Sequence, residues 1–168
     1  LEIKNVRGTL TIGNAKAKGN IVNKNKKQKI YVTVVDISKI DCSGAIHLKS
    51  QGELNLKKME VKLSGATNVV LDINLDELIL DLSGATDVKL NGRSKSMDLY
   101  CSGASNFDAS NFQVNDAKVE CSGANDTKLY ITGNMEINAS GASSIKCKGN
   151  PSISKKTLTG AASYKPLQ

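Results

Sequence analysis

Aromatic residues and histidine are scarce in this chain of 168 residues. It has no Trp, two Phe, four Tyr and one His, so aromatic residues make up only 4%. This leaves little material for a carbohydrate pocket built on ring stacking, and it excludes a mechanism that needs two histidines. No apolar run approaches the roughly 20 residues of a transmembrane helix. The first residue is Leu rather than Met, so we expect the numbering to begin inside a longer gene product, with any signal peptide upstream.

Positive charge is concentrated near the N-terminus. The net charge is +7, and residues 1–30 contain eight basic residues and one acid, whereas basic and acidic residues are equal in number over the rest of the chain. The lysine-rich run Lys24–Lys29 is either a polyanion-binding arm or the solvated loop of a hairpin between strands Thr9–Ile12 and Ile30–Val35. No aromatic residue is interleaved with these lysines, which argues against single-stranded nucleic acid as a ligand. We therefore expect no specific nucleic-acid partner.

A short repeat runs through the rest of the chain. Ser-Gly-Ala begins at residues 43, 64, 83, 102, 122 and 140, and Thr-Gly-Ala follows at 159. This close and nearly constant spacing is shorter than that of ankyrin, tetratricopeptide or propeller repeats. Apolar and polar residues alternate on both sides of each tripeptide, which is typical of two short strands per repeat.

Short strands at a fixed period, with no room for helices, indicate an all-β parallel β-helix in which each repeat forms one coil. We predict a single-stranded, right-handed solenoid of about seven coils over residues 37–168, with about 19 residues per coil. Residues 1–36 are predicted to form a basic β-hairpin that caps it. Glycine at each corner suits a positive φ, and the preceding hydroxyl can bond a neighbouring coil. The predicted structural corners are Ser43, Gly44, Ser64, Gly65, Ser83, Gly84, Ser102, Gly103, Ser122, Gly123, Ser140, Gly141, Thr159 and Gly160.

The cysteines fit no metal site. Their spacings match no zinc pattern, and we expect neither a metal ion nor a cofactor. Cys42, Cys101 and Cys121 share one predicted inward ladder, where they are interpreted as small buried side chains. Cys101 and Cys121 lie on adjacent coils, so a disulfide between them is conceivable, although parallel neighbours would need strained geometry. Cys147 lies on another predicted inward ladder.

Catalysis finds little support among the polar residues. His47 is predicted to lie on the surface, stacked beside Asn68 and Asp87, with no serine or cysteine nucleophile assigned to it. Carboxylates that can gather near one edge of the coils are Asp72, Asp76, Glu77 and Asp87. Coil length varies too little to build the walls of a cleft, so we predict that the protein is not an enzyme.

One outward column is mostly basic. Six residues after each corner Ser or Thr the chain has Lys49, Val70, Lys89, Asp108, Lys128, Lys146 and Lys165, and Lys148 lies beside the upper end. The five lysines at this offset form a candidate binding stripe for an acidic glycan or another polyanion. The alternative is that they only solvate the sheet and discourage edge pairing.

The corner repeat, the stretch KIYVTVVDISKIDCSGA and the closing GNPSISKKTLTGAASYKPL resemble the family called putative auto-transporter adhesin, head GIN domain, from about Thr9 to Leu167. The resemblance implies a β-helical bacterial protein exported to the periplasm, cell envelope or cell surface, with no established activity and no catalytic motif. Family members often have an upstream β-rich stretch, and many have Ser-Gly-Ser or Ser-Gly-Asp at the corners.

We therefore predict a non-enzymatic, adhesin-like surface or envelope scaffold. Its faces would bind a glycan or a protein on a surface, and the chain would be a monomer or a weak oligomer. One alternative is a self-assembling structural β-helix similar to bactofilins, although Pro166 removes a hydrogen-bond donor from the terminal strand. The other is a polysaccharide-degrading enzyme, which requires a walled cleft.

Overall fold

The computed structural model describes residues 2–13 and 29–167. The chain divides into two compact units, Leu1–Thr33 and Val34–Gln168. All regular secondary structure in the described residues is β-strand. These residues contain no helix that is long and apolar enough to cross a membrane. The strands are β1 (Glu2–Val6), β2 (Thr9–Gly13), β3 (Lys39–Lys49), β4 (Leu54–Asn55), β5 (Lys58–Leu82), β6 (Ala85–Cys101), β7 (Ala104–Cys121), β8 (Asp126–Ile131), β9 (Asn134–Ala139), β10 (Ser144–Lys148), β11 (Ser152–Leu158) and β12 (Ser163–Pro166).

The first unit contains an antiparallel hairpin of β1 and β2. Arg7 and Gly8 join the strands with φ angles of 50° and 79°, and two positive values match the twist of a tight two-residue turn. The predicted partner strand was wrong, because residues 30–35 are not in a strand. A two-residue turn brings together neighbouring segments at a smaller entropic cost than closing a long loop. Most of the lysine run, residues 24–28, lies outside the described residues, and the capping role stays a prediction.

The second unit is the predicted parallel solenoid, with about seven turns of about 19 residues. From β3 the sheet continues through β5, β6, β7, β8 and β10 to β12, while β9 pairs with both β7 and β11. All these pairings are parallel, as coils stacked in one direction require. The all-β parallel solenoid is therefore confirmed, and the handedness of its coils stays a prediction.

The corners stack in one column, as predicted. Ser43 pairs in register with Ser64, and Gly44 pairs with Gly65. At the next corner, Gly84 has a φ of 88°, and a Cβ added there would lie 2.7 Å from the Gly65 carbonyl oxygen. Glycine is therefore needed both for the backbone angle and for the close approach of the coils. The corner hydroxyls donate to backbone carbonyls of the preceding coil, as Ser83 Oγ does to Leu63 O at 3.3 Å.

The core fills the inside of the coils with one apolar ladder per inward position. Val61, Leu80, Leu99 and Val119 occupy the same place in successive coils and are all 0% exposed. Each fully buried side chain of this size contributes about 1.5–3 kcal/mol relative to an exposed one. The buried apolar ladders therefore mainly determine which residues stack on one another along the outer surface.

Candidate functional site

The candidate basic column lies on the outer face of the strands that follow each corner, and its predicted register is confirmed. Each member is the in-register partner of the next, in the order Lys49, Val70, Lys89, Asp108, Lys128, Lys146 and Lys165. Neighbouring members are separated by one coil, which is about 4.8 Å. We use "basic column" for the five lysines of this series; their binding role stays a prediction.

Asp108 interrupts the column for a structural reason. The coil that begins at Ser102 is one residue longer than the coil before it, and the ladder shows an irregularity between the partners of Lys89 and Asn91. Asp108 Oδ1 stabilises this bulge by accepting from the Ser110 backbone N at 3.0 Å and from Ser110 Oγ at 2.6 Å. Burial alone would raise the pKa of the Asp108 carboxyl. The Ser110 hydrogen bonds and the charges of Lys128 and Lys89 outweigh that effect and hold the pKa below its ordinary value.

Beyond Asp108 the column is continuously basic. Lys128, Lys146 and Lys165 lie in three consecutive coils, directly in register. Lys146 Nζ lies 3.2 Å from Asp126 Oδ1; among the described residues it is the one member of this trio with a carboxylate at salt-bridge distance. The column is therefore densest in lysines over the C-terminal coils.

Tyr130 and Lys148 form a second column beside these lysines. Lys148 pairs in register with Tyr130, and its Nζ lies 4.5 Å from the centre of the Tyr130 ring. Lys148 follows Lys146 by two residues in β10, so both side chains project from the same face. We call Lys128, Lys146, Lys148 and Lys165 the C-terminal lysine cluster. The sequence predicts Lys148 beside the column, whereas the place of Tyr130 on this face follows only from the structure.

Three of the cysteines are buried in the core, and Cys42 packs against it. All four are free thiols; Cys101 and Cys121 are direct neighbours in register, as predicted, and each is 3% exposed. The hydrogen bond with the Cys121 thiol, followed by burial, raises the pKa of Cys101. Cys42 is only half-buried, and burial followed by the charge of Asp41 raises its pKa. At Cys42 and Cys101 the raised pKa disfavours the reactive thiolate, which fits a packing role for these two side chains.

His47 has the predicted neighbours. It pairs in register with Asn68, which pairs in turn with Asp87. The Asp87 carboxylate accepts hydrogen bonds from Asn68 at 3.3 Å and from Asn106 at 3.2 Å. The carboxylate is thus engaged by amides on both sides rather than oriented to assist a histidine base.

The four predicted acidic residues do not act as one group, because each has its own partner. Asp72 accepts from Asn91 at 2.6 Å, Glu77 pairs with Lys58 at 2.6 Å, and Asp76 pairs with Lys95 at 2.8 Å. In the part of the chain that the structure describes, His, Cys, Asp and Glu form no cluster suited to a metal ion.

A groove of about 800 Å³, lined by both polar and apolar residues, was not predicted from the sequence. It lies where the strand after one corner leads into the strand before the next. Asn55, Asn74, Arg93 and Gln113 occupy in-register positions in four successive coils along it, and we call it the amide groove. The signal was readable, since these residues follow one another at nearly the same spacing as the corners do.

Comparison with known proteins supports the predicted resemblance. The sequence profile of the family described as putative auto-transporter adhesin, head GIN domain, matches residues 1–151. The match begins before the predicted Thr9 and ends before the predicted Leu167, so most of the closing coil lies outside it. No curated protein matches the sequence.

A solved structure shares the fold. It is the crystal structure of a putative lipid binding protein from Parabacteroides distasonis ATCC 8503, with a TM-score of 0.72 and 24% sequence identity. The similarity covers 80% of this chain and 55% of that one, so this chain spans about half the length of its structural neighbour. At this identity the likeness supports the fold alone.

Stacked parallel coils with polar and charged columns along their outer faces define a β-solenoid protein. Within that class, the chain belongs to the putative auto-transporter adhesin, head GIN domain family, since the profile spans residues 1–151 of 168.

Proposed function

We propose that this protein is a non-enzymatic scaffold of the bacterial cell surface or envelope, and that it binds an acidic glycan along its basic column. The proposal rests above all on the in-register stacking of Lys128, Lys146 and Lys165 in three consecutive coils. Membership of an adhesin family supports the location and the absence of a catalytic role.

A repeating surface suits a repeating ligand. An acidic glycan presents a carboxylate or a sulfate at regular intervals, and the column presents an ammonium group in each of its last three coils, about 4.8 Å apart. Each exposed ion pair is worth at most about 1 kcal/mol and is screened by salt. Binding is therefore expected to depend on several contacts together and to weaken as ionic strength rises.

Tyr130 favours a sugar chain over a simple anion. Its ring lies beside Lys148 at the edge of the lysine cluster and is half-buried. An aromatic ring next to cationic groups offers an apolar surface for the C–H groups of a sugar while the lysines hold its acidic substituents.

Lipid is the main competing ligand, because the structural neighbour is described as a putative lipid binding protein. The inside of the described coils is filled by side chains such as Leu80 and Leu99, each 0% exposed. An acyl chain would have to displace this core, which costs several kcal/mol. An anionic headgroup on the lysine cluster is the lipid mode that stays compatible with the packing.

The last coil argues against end-to-end self-assembly. Lys156 pairs in register with the buried Ile137, so a charged residue occupies a position that is apolar in the earlier coils. Its Nζ lies 5.8 Å from the centre of the Tyr164 ring, at the end of the core. A charge on an inward position, followed by Pro166 in the terminal strand, discourages another chain from continuing the sheet.

The test compares two triple variants with the same change in charge. Lys128→Gln, Lys146→Gln and Lys165→Gln remove the continuous part of the column, whereas Lys39→Gln, Lys62→Gln and Lys118→Gln remove three charges from the strands before the corners. Calorimetry would use a heparin-derived hexasaccharide, hexagalacturonate and the neutral cellohexaose, with Arg93→Gln in the reference protein and in both variants, so that the amide groove contributes equally throughout. The loss of three contacts, each worth about 0.5–1 kcal/mol, predicts about 10- to 100-fold weaker binding of the acidic probes by the column variant alone.

Three results would contradict the proposal: equal losses in both variants, equal binding of cellohexaose, or no binding of either acidic probe by the unaltered chain. Vesicles of neutral and anionic phospholipid form a separate arm. Binding to anionic vesicles without binding to the acidic oligosaccharides would replace the glycan with a lipid headgroup.

A further inference from the structure

We propose that the amide groove is a second binding site, specific for a sugar that carries a carboxylate, and that Arg93 is the residue that recognises the carboxylate. This site is separate from the basic column and does not depend on it. Residues that line the groove include Asn55, Leu56, Asn74, Arg93, Gln113 and Asn115.

Each of four successive coils contributes one polar side chain to the groove. Asn55, Asn74, Arg93 and Gln113 follow one another in register, and Asn74 Nδ2 donates to Asn55 Oδ1 at 3.2 Å. Each side-chain amide both donates and accepts hydrogen bonds, which matches the hydroxyl groups of a sugar. The exposed Val35 and the half-buried Leu56 add apolar surface against which its C–H groups can pack.

The backbone on both sides of Arg93 is held in place. Gly92 has a φ of 113°, and a Cβ there would clash with the Ile73 carbonyl oxygen of the coil below. Glycine thus lets the chain pass close over that coil just before Arg93. On the other side, Ser94 is 7% exposed and its Oγ donates to Ser96 O at 2.7 Å. The base of the arginine side chain is therefore well fixed.

The guanidinium is available for a ligand. Among the described residues, Arg93 has no carboxylate within salt-bridge distance, whereas the nearby Asp76 is neutralised by Lys95 at 2.8 Å. Arginine presents a planar fork of N–H donors that matches a carboxylate with two parallel hydrogen bonds. The other charged residues that line the groove are Asp36, Lys57, Asp76 and Lys95, so acids and bases are balanced apart from Arg93. This balance favours one acidic group set among hydroxyls over a densely charged polyanion.

The residues that form one wall of the groove belong to the second compact unit, Val34–Gln168, like the coils themselves. Val35 and Asp36 line it, and the residues that follow are anchored to the coils. Ile37 packs against the core, and Ser38 O accepts from the Glu60 backbone N at 2.9 Å. The groove therefore has a fixed side against which a short sugar chain can lie.

The experiment separates this site from the basic column. The variant with Lys128→Gln, Lys146→Gln and Lys165→Gln serves as the background, and trigalacturonate and its methyl ester serve as matched probes with and without the charge. We expect the background to bind trigalacturonate at least tenfold more tightly than the ester. Adding Arg93→Gln should remove that preference, and Arg93→Lys, which keeps the charge but loses the fork, should retain only part of it.

Lys62→Gln in the same background is the control, since it removes one exposed charge from the strands before the corners. Circular dichroism and the unfolding midpoint check that each variant is folded. The proposal is overturned if the background does not bind trigalacturonate, if the ester binds equally well, or if Arg93→Gln has no larger effect than Lys62→Gln. Amide shifts of Asn74, Arg93 and Gln113 in an NMR titration would place the ligand in the groove, and shifts confined to other faces would overturn it.

Discussion

Replacing a corner glycine with alanine should be far more damaging inside the stack than at the first described corner. Gly44 and Gly84 have similar φ angles of 95° and 88°, so alanine costs about 1–2 kcal/mol at either position from the backbone alone. An added Cβ meets nothing within 4 Å at Gly44 in the first described corner, whereas at Gly84 it lies 2.7 Å from the Gly65 carbonyl oxygen. Overpacking against a backbone that cannot rotate away adds about 1–3 kcal/mol. We therefore expect Gly84→Ala to lower the free energy of unfolding by about 2–5 kcal/mol in total.

Equilibrium unfolding in guanidinium chloride measures the difference, provided that the m value is unchanged. Gly160→Ala is the control for terminal position, because it lies in the last coil with its nearest backbone atom 3.1 Å from the added Cβ. Its effect should fall between those of Gly44→Ala and Gly84→Ala. Equal losses at all three positions would refute the idea that close stacking of the corners, rather than backbone angle alone, explains the glycines.

Three further perturbations test other parts of the structure. We expect the unaltered chain to sediment as a monomer, and Lys156→Ile, which exposes an apolar core end, to form concentration-dependent dimers in sedimentation velocity. The lowered pKa of Asp108 means that this carboxylate stabilises the fold above the ordinary carboxyl pKa of about 3.9, and that the contribution is lost as the pH falls through the folded value. Asp108→Asn should therefore lower stability at neutral pH and reduce the loss in acid. A thiol reagent should modify the half-buried Cys42 well before the buried Cys101 and Cys121.

Each of these perturbations has a matched control or a clear contrary result. Lys155→Ile changes the neighbouring residue, which pairs with Glu136, and should leave the chain monomeric. Dimers in both variants, or in neither, would contradict the role given to Lys156. An acid limb of the stability curve that is the same with and without Asp108→Asn would contradict the role given to the Asp108 carboxylate. Equal reaction rates for all three thiols would be inconsistent with their burial.

The repeat made most of the outer surface predictable from sequence. When every coil has nearly the same length, residues at equal offsets must stack, and the register from Lys49 to Lys165 follows directly from the corner spacing. The prediction was incomplete in the longer coil that begins at Ser102. The bulge at Ser110 gives Asp108 a local structural role, which its position relative to the corner does not indicate.

Two features escaped sequence reasoning for different physical reasons. The hairpin partner was misplaced because strand propensity favoured residues 30–35, although Arg7 and Gly8 form a tight turn much closer in the chain. The amide groove was missed because its residue types differ from coil to coil, so no repeated motif marks it. Asn74 and Arg93 are related in sequence only because their spacing equals the spacing of the corners. Whether such residues line a groove depends on the three-dimensional path of the chain.

Both proposed sites require that residues at the same position relative to successive corners lie one coil apart. Distances between spin labels, measured by double electron–electron resonance, test this most directly. Nitroxide labels would replace Lys49 and Lys165 in one protein and Lys89 and Lys165 in another, with the native cysteines changed to alanine. Six and four coil rises predict mean separations of about 29 Å and about 19 Å, a difference of about 10 Å. Equal separations for the two pairs, or a longer one for Lys89 and Lys165, would contradict the stacked columns.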